Sequence, residues 1–508
     1  MVHASGIWGF RAFYVAAAWL MAGALFEGGA AAQAVGDFNN DGFEDLAVGV
    51  PNEGIGDTVS AGAVHVIFGS ATGLKSQNSQ FWHLDKPNVP NSAEAGDRFG
   101  TAIAVGDFDN DGFDDLAIGI PGKKVSGELQ AGAVVVLHGR AGGLNANGSQ
   151  YWHQDRPGVL DAAREAEAFG SALAAGDFDG DGFSDLVIGV PFEAGPGEQG
   201  AINVLYGGDD GLSATDDQFF KRGRGEPLAA GDFDNDGFDD IAIGSAGEEV
   251  LGHPGAGVVR ILFGTADGLT SAGRQTWSQD SPGIAGVPEQ GDSFGAALAV
   301  GDINDDGFDD LAIGVPQEGI GMIVNGGMVH VLRGTSLGLR AFGAQAWTQD
   351  SDDIKDSMES NDRWGQALIA GDFNGDGFDD LAIGVPGEKV NRKGGAGAVA
   401  VLFGSDDELT AEDNEFWHQN SGNVLDKCEV GDRFGNSLAA GDFDADGRVD
   451  LAVSVPFEDV GAVVDSGAVA VLYGRNGGLS GADNQLWHQN KSGINDECEA
   501  GDRFGDAN

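Results

Sequence analysis

With 508 residues, the chain is far longer than one β-sandwich requires, which leaves a large closed architecture or several domains. Its 87 glycines stand beside only 14 prolines and a 41% apolar fraction, a balance that excludes a collagen-like rod and a disordered linker. The formal charge of -54, from 81 acidic against 27 basic residues, excludes nucleic acid and anionic lipid as partners held by bulk electrostatics.

Residues 1 to 34 read as a secretory signal. Arg11 precedes an apolar run from Ala12 to Phe26, and Ala32-Gln33-Ala34 offers a small-x-small cleavage site. A lipid-embedded anchor is the competing reading, although the run is short for a bilayer span and no later segment is apolar enough for one. The mature chain is expected to have no membrane span and to be secreted, periplasmic or displayed at the cell surface.

From residue 35 onward the chain repeats. Gly36 to Asp45 reads Gly-Asp-Phe-Asn-Asn-Asp-Gly-Phe-Glu-Asp, and close copies start at Gly106, Gly176, Gly231, Gly301, Gly371 and Gly441, spaced by 70 residues except for one interval of 55. Each copy leads into an apolar strand such as Leu116 to Pro121 and a second such as Gly132 to Leu137. An aromatic strand follows, closed by Trp82, Trp152, Trp277, Trp347, Trp417 or Trp487, and then a Phe-Gly segment such as Phe99 to Val105. Four predicted strands per period and seven periods give an all-β, seven-bladed β-propeller over residues 35 to 508, because a blade can bury its two faces only against its neighbours. The recurring Trp and Phe are expected in the core between blades.

The first acidic loop has no Phe-Gly before it, and the last Phe-Gly, Phe504-Gly505, has no loop behind it. Phe169 precedes Gly176 by seven residues, and Phe504 to Asn508 followed by Ala34, Val35 and Gly36 reproduces that count. Closure of a ring by residues 501 to 508 with 35 to 38 is one reading, and a truncated piece of a longer array is the other. Cys428 and Cys498 occupy equivalent places in two repeats; two cysteines make no disulfide scaffold, and whether they pair stays open.

Positions 1, 3, 5 and 9 of every acidic loop bear side-chain oxygens. They are Asp37, Asn39, Asp41 and Asp45; Asp107, Asp109, Asp111 and Asp115; Asp177, Asp179, Asp181 and Asp185; and Asp232, Asp234, Asp236 and Asp240. The remaining three sets are Asp302, Asn304, Asp306 and Asp310; Asp372, Asn374, Asp376 and Asp380; and Asp442, Asp444, Asp446 and Asp450. Position 6 is always Gly, which permits the sharp turn that folds alternate side chains around one point. Carboxylates so crowded need a counter-ion, since one pair at ~4 Å repels by about 4 kcal/mol at an effective dielectric of 20. Numerous, flexible, all-oxygen ligands favour Ca²⁺ over Mg²⁺, and the lack of recurring His or Cys argues against Zn²⁺. Up to seven Ca²⁺ are expected, structural in role. These are not EF-hands, because position 12, where a bidentate Glu belongs, is Val48, Ile118, Ile188, Ile243, Ile313, Ile383 or Val453.

Phe-Gly followed by Gly106 to Pro121, Gly-Asp-Phe-Asp-Asn-Asp-Gly-Phe-Asp-Asp-Leu-Ala-Ile-Gly-Ile-Pro, resembles the FG-GAP repeat of integrin α-subunit propellers, over about residues 35 to 508. The resemblance, which extends to similar bacterial secreted proteins, implies calcium loops between strands one and two on one face and ligand recognition on the other. Repeat three departs from the pattern. It is fifteen residues short, and Lys221, Arg222 and Arg224 stand where the Trp and Phe-Gly signals should be. This is either a basic notch on the ligand-side rim or a tolerated deletion in a surface loop.

No single catalytic constellation stands out. His83 and His153 recur after their Trp, but Ser278 and Thr348 replace them in other repeats, which describes blade architecture better than one active site. The expected function is a monomeric binding or adhesion scaffold, not an enzyme, for an extracellular protein or glycan ligand. Variable loops such as Asn52 to Ser60, Gly122 to Gln130, Gly319 to Gly326 and Asp350 to Asn361 would present the binding surface. A secreted hydrolase or lyase acting on polysaccharide or phosphodiester, or a purely structural envelope component, are the alternatives.

Overall fold

Short apolar runs bounded by Asp/Gly turns form four-stranded antiparallel sheets, seven in all among the described residues, each a meander in chain order. The computed structural model describes residues 33–193, 200–221, 223 and 225–506. In blade one the strands are Gln33–Gly36, Asp45–Val50, Ala63–Phe68 and Lys75–Trp82; in blade two they are Ile103–Gly106, Asp115–Ile120, Ala133–His138 and Asn145–Trp152. Register is fixed at each step, with Gly36 opposite Asp45, Leu46 opposite Ile67 and Val64 opposite Trp82. A β-bulge separates the two ends of every third-to-fourth strand pairing, as between Val66 and Phe68, and adds to the twist of the outer edge.

The chain is a seven-bladed β-propeller. First strands touch first strands around the ring, so they line its axis. The second and third strands of blade one are wholly buried, whereas its fourth strand is partly exposed as the outer edge. Middle strands have a neighbouring blade on each side, which explains their continuous apolar runs in place of strict alternation. The core is accordingly divided among the joints. Val64, Val66 and Phe68 of blade one pack with Leu116, Ile118 and Ile120 of blade two. In the same way Leu46, Val48 and Val50 pack with Phe443, Val469, Val471 and Tyr473 of blade seven, so blades one and seven join as the others do.

Phe-Gly serves two blades at once. The Phe99 N–H donates to Ala61 O of its own blade, and the Gly100 N–H donates to Gly119 O of the next. Gly62 has φ of +81°, and a Cβ there would lie 2.3 Å from the Phe99 backbone, so this docking requires glycine. At the last joint Phe504 N–H bonds Ser466 O at 2.9 Å and Gly505 N–H bonds Gly49 O at 3.1 Å. At the entry to blade four, where Phe-Gly is lacking, Gly244 N–H still bonds Pro227 O at 2.8 Å, the counterpart of Gly119 N–H to Ala102 O in blade two.

Residues 1–32 of the expected leader lie outside the described residues, and Gln33 and Ala34 lie in the first strand, paired with Val48 and Ala47. Phe99, Phe169 and Phe294 are fully buried between blades, and so is Trp364, which takes the Phe place in blade five. Of the outer-strand tryptophans only Trp152 and Trp487 are buried, because an edge strand leaves one side of the ring to solvent. Cys428 and Cys498 are buried free thiols. Arg222 and Arg224 lie outside the described residues, and Lys221 extends toward Glu193 at 3.8 Å.

Candidate metal centres

The seven acidic loops join first and second strands and lie together on one face of the ring, as the meander dictates. Gly42 and its counterparts Gly112, Gly182, Gly237, Gly307, Gly377 and Gly447 all have φ between +84° and +97°, the left-handed turn that the pattern anticipated. In every loop the position 1 carboxylate accepts the N–H groups of positions 5 and 6; Asp107, for example, takes Asp111 N–H at 3.1 Å and Gly112 N–H at 2.8 Å. Position 5 accepts the position 7 N–H, as Asp111 does from Phe113. The position 9 aspartates are fully buried, and Asp115 takes the N–H of Gly139 at 2.8 Å and of Phe108 at 3.3 Å.

These contacts hold the acids in a tight group. Carboxylate oxygens of Asp107, Asp109 and Asp111 all lie within 4.8 Å of one another, and so do those of Asp177, Asp179 and Asp185 and of Asp232, Asp234 and Asp240. Burial first, and neighbouring aspartates with it, push Asp45, Asp185, Asp240, Asp310, Asp380 and Asp450 up to about 8. The side-chain Oδ1 atoms of Asp109, Asp234, Asn304 and Asp444, all at position 3, are buried and have no hydrogen-bond partner. An orphaned oxygen beside carboxylates whose ionisation burial disfavours is the donor set a hard cation completes, and the residues present fit Ca²⁺. At Asn39 and Asn304 the amide nitrogen faces the position 9 carboxylate, at 3.0 and 3.3 Å.

Two features escaped the sequence pattern. Loops two and seven carry protein cations: Arg140 contacts Asp111 and lies 3.7 Å from Asp109, His138 Nδ1 lies 3.1 Å from Asp115, and Arg475 reaches Asp446 at 3.0 Å and Asp444 at 3.4 Å. The hydrogen bond to Asp115 raises the His138 pKa. Position 8 also links blades. Asp114 accepts the Asp37 N–H at 2.8 Å, Asp239 that of Asp177 at 2.8 Å, Asp309 that of Asp232 at 2.9 Å and Asp379 that of Asp302 at 3.1 Å, while Glu44 accepts the Asp442 N–H at 2.6 Å across the joint of blades seven and one. The recurrence of an acid at position 8 (Glu44, Asp114, Asp239, Asp309 and Asp379) was the available signal.

The family model for the FG-GAP repeat matches residues 29–67, 99–137, 169–205, 225–262, 294–332, 364–402 and 434–472, together more than half of the chain. The chain belongs to the FG-GAP repeat family. It is 35% identical over 197 residues to phosphatidylinositol-glycan-specific phospholipase D of Rattus norvegicus, covering 38% of this chain and 20% of that protein. It is 29% identical over 277 residues to integrin alpha-PS2 of Drosophila melanogaster, covering 53% of this chain and 18% of that protein. The FG-GAP chain thus spans a fifth or less of these relatives' length. Among solved structures, BBS1N in complex with ARL6DN aligns over 84% of this chain and 88% of its own at 10% identity, with a TM-score of 0.41. Among the described residues no helix is long and apolar enough to cross a membrane.

Proposed function

We propose that this FG-GAP propeller is an exported binding scaffold whose acidic loops hold structural Ca²⁺ and whose opposite face engages a protein or glycan ligand. One observation carries the choice of face. The hairpin tips between second and third strands expose Val59 (71%), Leu129 (55%), Val324 (60%) and Val464 (54%), each three residues before the glycine that opens its third strand. A repeated apolar tip in a strongly acidic protein contributes nothing to the core, and its recurrence on one face supports recognition there.

Arrays of proteins and glycans, probed in excess calcium, test this reading. A quadruple variant with Asp at Val59, Leu129, Val324 and Val464 is expected to lose captured ligands while melting as the parent does. Undiminished capture by that variant contradicts the assignment of the face. The phospholipase D likeness keeps an enzymatic reading in view, and turnover of a phosphatidylinositol-glycan substrate by the purified chain would establish it over the scaffold.

A further inference from the structure

In two blades a basic side chain four positions beyond the outer-strand tryptophan covers its ring. The Arg156 guanidinium lies 3.7 Å from the centre of the Trp152 ring and donates to Tyr151 O. The Lys491 ammonium lies 3.8 Å from Trp487 and donates to Leu486 O at 2.5 Å. Both rings are only 2% exposed. Blades four, five and six carry Ser281, Ser351 and Ser421 at that position, and Trp277, Trp347 and Trp417 are partly exposed. The Trp347 indole N–H donates to Gln345 Oε1 at 3.0 Å, as those of Trp152 and Trp487 do to Gln150 and Gln485, so the ring is set as in blades two and seven. Ser351 is too short to cover it.

Of the blades with this tryptophan, only blade five flanks it with acid on both sides. Asp352 and Asp353 follow Ser351, where blades two and four have Pro157-Gly158 and Pro282-Gly283 and blade six has Gly422-Asn423. Across the crevice, the outer strand of blade six, Thr410–Trp417, brings up Glu412 and Asp413. All four acids are exposed and make no ion pair among the described residues. Lys355, the basic residue of the lining, is held to Asp413 O at 3.3 Å. The crevice encloses about 720 Å³, against about 320 Å³ for its counterpart at Trp152, where Arg156 lies over the ring.

We propose that this crevice, at the joint of blades five and six, receives an arginine side chain of a basic partner protein, with its guanidinium on the face of Trp347 and its N–H groups turned to the acids of the two walls. The chain itself shows what such a ring face takes, since arginine makes the same contact at Trp152. Carboxylates on both walls exclude an anionic ligand and suit a planar fork of donors better than a point charge. A cavity of this volume admits the side chain together with its neighbours in a peptide. None of the lining residues belongs to an acidic loop or to a hairpin tip, so the site stands apart from the calcium reading.

The test adds an acetylated Gly-Gly-Arg-Gly-Gly amide to the whole chain in excess calcium, with a peptide bearing citrulline in place of arginine as the neutral control. The readout is the indole N–H resonance of Trp347, identified by its loss in Trp347→Phe. The arginine peptide is expected to shift that resonance saturably in the millimolar range, and the citrulline peptide to bind at least about five-fold more weakly. Ser351→Arg supplies the cover from within the chain, as Arg156 does, and is expected to abolish the shift. Should that variant fail to fold, Asp352→Asn combined with Asp353→Asn is expected to weaken binding by a similar factor. Equal responses to the two peptides, a Trp347 resonance that does not move, or undiminished binding by the variants would overturn the proposal.

Discussion

Arginine is what separates the seven loops from one another. Arg475 already pairs with Asp444 and Asp446, and Arg140 with Asp109 and Asp111, while the acids of loops three and four make no ion pair among the described residues. A cation entering loop seven must compete with the guanidinium, whose half-exposed ion pair contributes about 0.2–1 kcal/mol. Arg475→Met is therefore expected to tighten calcium binding by roughly two- to five-fold at that loop, read by titration calorimetry. Weaker binding would show that the arginine assists the site.

Asp45, Asp185, Asp240, Asp310, Asp380 and Asp450 set a pH dependence with a definite sign. Their values in the metal-free fold, about 8, stand above the ordinary 3.8, so the fold favours the protonated acid. That stabilisation is complete below the ordinary value and is lost as pH rises through about 8. Chelated protein is expected to melt at a lower temperature near pH 9 than near pH 6, and saturating calcium to reverse the trend, because only the carboxylate binds the ion. A melting temperature of chelated protein that climbs between those values would contradict the burial argument.

At the scale of elements, the Phe-Gly segment and the glycine that receives it act as a clasp. Gly132 has φ of +88°, and a Cβ there would lie 2.2 Å from Phe169 O, a backbone atom with no freedom to yield. Gly132→Ala is expected to cost at least about 1–3 kcal/mol, visible as a lower denaturant midpoint, because strained φ and the clash act together. Gln80 forms a second clasp on the outer strand: its Nε2 bonds Leu144 O of the next blade at 3.0 Å, and its Oε1 accepts the Trp82 indole N–H at 3.2 Å. A midpoint unchanged by Gly132→Ala would mean that the clasp carries no load.

For the whole molecule, the joints repeat so closely that each is expected to contribute alike. Phe99 and Phe504 are both fully buried, one at an internal joint and the other where blades seven and one meet. Truncating either to Ala is expected to cost about 3–5 kcal/mol, with similar losses in melting temperature. An open array would tolerate Phe504→Ala far better, since a frayed end contributes little.

Blade number and strand order were legible because a period of 70 residues repeats both the turns and the apolar runs. The loop acids were legible for the same reason. What joins blade to blade was not: Asp114 reads as one more acid until blade two is set beside Asp37, and Lys123 reads as a surface lysine until Asp97 faces it.

Calorimetric melting of the purified FG-GAP chain in excess calcium and in excess chelator is the most direct test that cations brace the ring. A bound ion at ~100-fold saturation adds about 2.7 kcal/mol per site, so chelation is expected to lower and broaden the transition strongly. Superimposable transitions in the two conditions would contradict it.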